Sequence, residues 1–383
     1  MVCVVEFIVA YMLWRLGSGN AALWLFYFRE VMELTKRLPV ENFKFPVAKI
    51  MEGYYSDAYF LRSREILLGD GYHPRVLMQV FARDNVVVCG IDEVIALLKT
   101  CSFHPDDLVI NALYDGEEVA EWETVMTIEG NYDDFAHLET LYLGILARES
   151  RIATNVRRVV EAANGKPVLF FPARYDLYQT QEADGYAAKI GGITGFSTDA
   201  NALASGCKGL GTIPHALIAS YNGDTVAATE AFDKYVDPAI SRIALVDFDN
   251  DCVNTSLAVA RKLGKKLSGV RLDTSGSMVD KSLWTQIGTF KPTGVCKELV
   301  CNVRKALDAE GFNHVKIIVS GGFDAARVAA FEEMGVPVDT YAVGSSFFDG
   351  NINFTADIVK VNGRECAKAG RRYNPNPKME LVK

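Results

Sequence analysis

The residues with the clearest chemical potential lie in the last half of the chain. Val319-Ser320-Gly321-Gly322-Phe323-Asp324 reads as a strand ending in two glycines just before a helix. Backbone N–H groups at a helix N-terminus, with no side chain in the way, can approach an anion closely. Val343-Gly344-Ser345-Ser346 repeats the arrangement one strand later. Each turn alone also fits an ordinary strand-to-helix junction, but two consecutive late strands bearing such turns fit the phosphate site of an α/β barrel. Ser320, Gly321, Gly322, Gly344 and Ser345 are therefore the candidate phosphate-binding residues.

Arg271 and Asp273 stand two apart at the end of another strand, in Gly269-Val270-Arg271-Leu272-Asp273, so their side chains emerge on one face. The guanidinium can take a carboxylate or phosphate through two N–H groups, and the carboxylate can steady a developing positive charge. The same two residues could equally form a structural ion pair. His215 follows Pro214 at a helix start in Gly211-Thr212-Ile213-Pro214-His215-Ala216. It is either a reactive imidazole or a surface histidine.

These residues need elements to position them. After Pro167 short apolar runs alternate with amphipathic stretches: strands are expected at 168–171, 192–196, 243–246, 267–272, 315–319 and 338–343. Helices are expected between them at 178–189, 215–221, 224–235, 252–263, 295–310 and 324–334. Repeated β-α units predict a parallel sheet, with ligands at the carboxyl ends of its strands. Polar residues cluster there: Arg174 and Asp176, Ser197 to Asn201, Asp247 to Asp251, Asp273, Ser320 to Asp324, and Gly344 to Ser346. The fold class is thus α/β, an irregular barrel of parallel strands over residues 167–360. An α+β domain over 41–130 and a helical connector over 131–166 precede it. Residues 361–383 read as a C-terminal tail that is loose from Arg371 onward.

The first 40 residues form an apolar extension to which the sequence attaches no role. Its runs, 1–14 and 21–28, fall short of the roughly 20 residues that span a bilayer, and no basic residue precedes Arg15 as a signal peptide would require. No membrane span is expected. A formal charge of −8 lacks the electrostatic footprint of a nucleic-acid binder. Eight cysteines scattered without a C-x-x-C pair point to reduced thiols in a cytoplasmic protein and to no structural zinc.

Several blocks, taken in order, resemble those of the nicotinate phosphoribosyltransferases, which are type II phosphoribosyltransferases. They are Gly53-Tyr54-Tyr55-Ser56-Asp57-Ala58-Tyr59-Phe60, Glu149-Ser150-Arg151-Ile152-Ala153-Thr154, Phe171-Pro172-Ala173-Arg174, Gly211 to Ala216, Leu245-Val246-Asp247, Gly269 to Asp273 and the glycine turns. The resemblance covers about 42–348. It implies transfer of a phosphoribosyl group from phosphoribosyl pyrophosphate to nicotinate in NAD biosynthesis, with Mg²⁺, coupled to ATP through a histidine that becomes phosphorylated. By position His215 is that histidine, Asp273 faces the ribose, Tyr59 stacks on the pyridine, and Arg174, Arg271 and Thr212 meet the substrate. The glycine turns hold the 5′-phosphate, and a homodimer with shared active sites is expected. A sister enzyme using quinolinate or nicotinamide, or a non-catalytic nucleotide-sensing barrel, is the alternative.

Two departures stand out. Tyr175 occupies a place where many members carry a second arginine. Thr274-Ser275-Gly276-Ser277 replaces a serine-glycine-aspartate run, so a nearby carboxylate is either missing or supplied by Asp280.

Overall fold

The computed structural model describes residues 37–383. Up to residue 36, the apolar extension read from the sequence lies outside the described residues. The rest divides into two compact units, one of the described residues up to Leu146 with Asn353–Lys383, the other Ala147–Ile352.

The first unit contains β1 (Arg75–Ala82), β2 (Val86–Val87), β3 (Val109–Ala112), β4 (Glu118–Val119) and β5 (Thr124–Asn131). From the C-terminal segment it adds β12 (Phe354–Val361), β13 (Arg364–Glu365) and β14 (Glu380–Leu381). Six of these form one sheet in the order β13-β12-β1-β5-β3-β14. At its centre β1 pairs antiparallel with both β5 and β12 and is buried on both faces from Met78 to Ala82. The helix Ile91–Cys101 buries Val94, Leu97, Leu98 and Cys101, as its periodicity requires.

The C-terminal residues do not form the loose end expected from their composition. Leu381 in β14 pairs with Asn111 in β3, Asn374 donates its backbone N–H to Gln79 Oε1 at 2.7 Å, and Asn376 Nδ2 donates to the Thr124 carbonyl at 2.8 Å. The sheet edge and the buried Gln79 need hydrogen-bonding partners. A segment distant in sequence supplies them, and local composition carries no trace of that.

In the second unit the expected strands and helices all appear. The strands are β6 (Val168–Phe170), β7 (Gly195–Phe196), β8 (Arg242–Leu245), β9 (Leu267–Leu272), β10 (Lys316–Val319) and β11 (Thr340–Val343). They form a parallel sheet in the order β7-β6-β11-β10-β9-β8. Ile317, Ile318, Val319, Tyr341, Ala342 and Val343 are buried without alternation, as in a parallel sheet covered on both faces. The edge strands β7 and β8 are not paired with each other. The curled sheet is therefore an open half-barrel. Between these strands the chain contributes the helices Asp199–Ala202, His215–Ser220 and Thr225–Tyr235 in place of closing strands. The helix Glu139–Ala162 begins in the first unit and ends in the second.

Among the described residues no helix is long and apolar enough to cross a membrane. Cys89, Cys101 and Cys252 are buried and Cys207 and Cys366 exposed.

Candidate functional site

The carboxyl ends of β9 and β10 carry a connected row of polar groups. Arg271, the fifth residue of β9, donates from Nη1 to Thr212 Oγ1 at 3.2 Å and from Nη2 to Asp273 Oδ2 at 3.3 Å. Ser320, just past β10, donates its hydroxyl to the other oxygen of Asp273 at 2.6 Å. Parallel pairing of β9 with β10 brings these ends together, because Val319 lies opposite Leu272. The Arg271–Asp273 pair read as a structural alternative does exist, but it does not satisfy the guanidinium. Arg271 Nε is buried without a hydrogen-bond partner, a state that native structures avoid unless something else meets the group.

The glycine turns lie beside this row. Gly321 and Gly322 adopt φ of +87° and +72°, left-handed values that favour glycine. A Cβ on Gly321 would meet Asp273 O, Asp273 Oδ1 and Thr274 O at 3.5 Å each, so the turn packs directly on the end of β9. Among the described residues nothing accepts from the backbone N–H groups of Gly321, Gly322, Gly344 or Ser345. Ser346 Oγ donates to the Phe323 carbonyl at 2.8 Å and ties the two turns together. Oriented free amides of this kind form an anion-binding concavity.

The second turn is also propped from the long helix. Asn155 Nδ2 donates to the carbonyls of Phe347 at 3.2 Å and Asp349 at 2.9 Å, and Arg151 Nη1 to that of Gly350 at 3.2 Å. Glu149 and Ser150 of the same sequence block are buried.

Arg174 and His215 flank the row. Arg174 is exposed, with its guanidinium 5.5 Å from the Tyr175 ring centre. Tyr175 raises its pKa by hydrogen bonding and charge, with a smaller push from Asp273. Its loop is anchored by Arg148, which pairs with Asp176 at 2.8 Å and Asp184 at 2.9 Å. His215 begins its helix above a small apolar cluster of Ile213, Ile218, Ala228, Phe232 and Leu245. Its Nε2 lies 3.0 Å from Oδ1 of Asp247, just past β8. Burial pushes the Asp247 carboxyl above its usual range, against the opposing pull of His215. A cavity of about 400 Å³ opens next to this region, lined by Ser197, Thr212, Ile213, Phe232, Val236 and Ile240 among others. It touches the row at Thr212 alone.

Residues 57–150 match the model of the quinolinate phosphoribosyl transferase N-terminal domain. A nicotinate phosphoribosyltransferase of Mycobacterium tuberculosis is 30% identical over 283 residues, 72% of this chain and 58% of that protein. The crystal structure of nicotinate-nucleotide pyrophosphorylase from Pyrococcus furiosus superposes with a TM-score of 0.75 at 32% identity, covering 91% of this chain and 86% of that one. The chain belongs to the type II phosphoribosyltransferase family. Human nicotinic acid phosphoribosyltransferase, at 16% identity and a TM-score of 0.63, shares the fold over 82% of this chain and 76% of its own. The chain spans about three fifths of the length of the curated nicotinate phosphoribosyltransferases it matches.

Of the residues singled out in the sequence, Thr212, Arg271, Asp273, Ser320 and the glycines converge as described, with Arg174 and His215 beside them. Tyr59 belongs to the first unit, where it is exposed and packs on Phe60 with ring centres 4.3 Å apart. Burial, then Asp57 and Glu139, raise its phenol pKa. Asp280 does not replace the missing family carboxylate. It is fully buried and accepts from the backbone N–H groups of Cys252 at 2.8 Å and Ser282 at 2.9 Å, so it caps two helical segments. The sequence reading missed Asp247 as the partner of His215, although its place at a strand end beside a family block was a usable signal. Nor did it mark Arg327, whose Nη1 donates to the Gly321 and Gly322 carbonyls at 2.9 Å each.

Proposed function

We propose that the chain transfers the phosphoribosyl group of phosphoribosyl pyrophosphate to the ring nitrogen of nicotinate, yielding nicotinate mononucleotide and pyrophosphate. The observation that carries this reading is the continuous row Thr212–Arg271–Asp273–Ser320, which joins a partly buried cation with an unmet N–H to turns with free amides. In the reaction the bond between ribose C1′ and the pyrophosphate oxygen breaks, and a bond from the pyridine nitrogen to C1′ forms. Positive charge develops on the sugar as the leaving group departs, and Asp273, held on both oxygens, is aimed to stabilise it. Gly321, Gly322, Gly344 and Ser345 offer N–H groups to the 5′-phosphate. Arg271, Thr212 and Arg174 serve the nicotinate carboxylate and neighbouring phosphates.

The proposal extends to ATP. With Nε2 engaged by Asp247, His215 keeps Nδ1 for the γ-phosphoryl group, ADP leaves, and water later releases phosphate. Among the described residues no group of three or more His, Cys, Asp or Glu could hold a metal ion. Bound together with the substrate, Mg²⁺ would offset the negative charge of the departing pyrophosphate. Tyr59 would stack on the pyridine in a homodimer with shared sites, a reading supported by the exposed rings of Tyr54, Tyr55 and Tyr59. The chain is proposed to work in the cytoplasm, in NAD biosynthesis.

Product analysis tests the reading. The purified chain is incubated with phosphoribosyl pyrophosphate, Mg²⁺ and either nicotinate, nicotinamide or quinolinate, with and without ATP. Nicotinate mononucleotide formed from nicotinate, faster with ATP, is expected. Turnover of quinolinate alone, with release of carbon dioxide, would replace this reading by the sister activity.

A further inference from the structure

The first glycine turn raises a physical question. Two successive glycines in left-handed conformation have the widest backbone freedom of any residues, so nothing intrinsic to Gly321-Gly322 keeps their peptide planes turned the right way. The direction of a free N–H is set by whatever grips the neighbouring carbonyl. Here that grip is a single side chain. Arg327 Nη1 donates to the Gly321 carbonyl at 2.9 Å and to the Gly322 carbonyl at 2.9 Å, while Nη2 donates to the Val295 carbonyl at 2.8 Å.

The guanidinium is itself held in place. Its carbon lies 4.2 Å from the centre of the Phe323 ring, and the backbone N–H of Arg327 is capped by Asp324 Oδ1 at 2.8 Å. Among the described residues no carboxylate forms an ion pair with the Arg327 side chain, and Asp324 at the same helix start acts on its charge without contacting the guanidinium. Val295 also links it to the segment that departs from the family pattern. Gly294 donates its N–H to the Met278 carbonyl at 2.9 Å and closes that loop on itself.

We infer that Arg327 is the positioning residue of the phosphate site: it clamps both glycine carbonyls so that the amides in the same peptide planes, those of Gly322 and Phe323, face the phosphate of a sugar phosphate, and it adds a fixed positive charge behind them. This inference rests on the phosphate reading given under Proposed function. Lysine keeps the charge but cannot present the planar fork, and methionine loses both.

The test is isothermal titration of ribose 5-phosphate, and separately of nicotinate, into wild type, Arg327→Lys and Arg327→Met, with thermal melts alongside. Ribose 5-phosphate affinity is expected to fall about tenfold or more in Arg327→Met, in line with loss of charge-assisted hydrogen bonds, and by a smaller factor in Arg327→Lys. Nicotinate affinity should change less than about threefold. If Arg327→Met does not fold, Arg327→Lys carries the test through the same selective loss. Equal losses for both ligands, or none for ribose 5-phosphate, overturn the inference alone. Failure of wild type to bind ribose 5-phosphate at all would overturn the function reading, and this inference with it.

Discussion

Glu139 offers a quantitative test of the electrostatics around Tyr59. It opens the helix Glu139–Ala162, and burial first, then Asp357 and Asp57, push its carboxyl from 4.5 up to about 7. Tyr142, fully buried one turn on, leaves its hydroxyl without a hydrogen-bond partner, and charge on Glu139 acts on it directly. The folded value lies above the unfolded one, so both states are protonated below 4.5. Between 4.5 and about 7 the folded chain keeps a proton that the unfolded chain has lost, and stability falls as pH rises through that window. A difference of 2.5, taken as 7 minus 4.5, amounts to about 3 kcal/mol at about 1.4 kcal/mol per pH unit. Glu139→Gln keeps the shape and stays neutral. Urea unfolding followed by circular dichroism should find the variant about 1 kcal/mol more stable than wild type at about pH 5 and about 3 kcal/mol more stable at about pH 8. An advantage that does not grow with pH would refute the reasoning, because only a titrating carboxylate generates that slope.

Three further outcomes follow from the site geometry. Ser320→Ala removes the 2.6 Å hydrogen bond to Asp273 and should lower kcat/KM about ten- to a hundredfold, the usual cost of a bond to a charged group; steady-state kinetics showing less than about a twofold change would count against Asp273 as the group facing the sugar. Gly344→Val places a Cβ 3.0 Å from Tyr175 Cε2. That exposed ring can swing aside, so phosphoribosyl pyrophosphate affinity should fall while the melting temperature holds. His215→Ala should abolish ADP formation coupled to nicotinate mononucleotide synthesis and leave a slower ATP-independent reaction; an unchanged ratio of ADP to product, read by chromatography, would remove the histidine from the ATP step.

The β-α alternation of the second unit was legible because each strand and helix carries its own hydrophobic period, and its six strands lie close to where that period places them. The glycine turns were legible for a similar reason: glycine after a buried strand is a local signature, and both turns do leave amides free. Arg271 and Asp273 could be read as neighbours because they share a strand face. Sequence alone did not show which contacts those residues make across the fold. Ser320 reaches Asp273 only because β9 and β10 pair in one register. His215 meets Asp247 across 32 positions of chain. The clamp of Arg327 on Gly321 and Gly322 spans a few residues, yet depends on a helix N-terminus turning the side chain back over its own turn. Asp280, a plausible active-site carboxylate by position, became a helix cap once burial pointed it inward, and the C-terminal residues became sheet partners by pairing with strands more than two hundred positions away. Element type is set by short-range steric and hydrophobic preferences, whereas the partner of a polar group is set by which elements the chain packs together, and only the tertiary structure decides that.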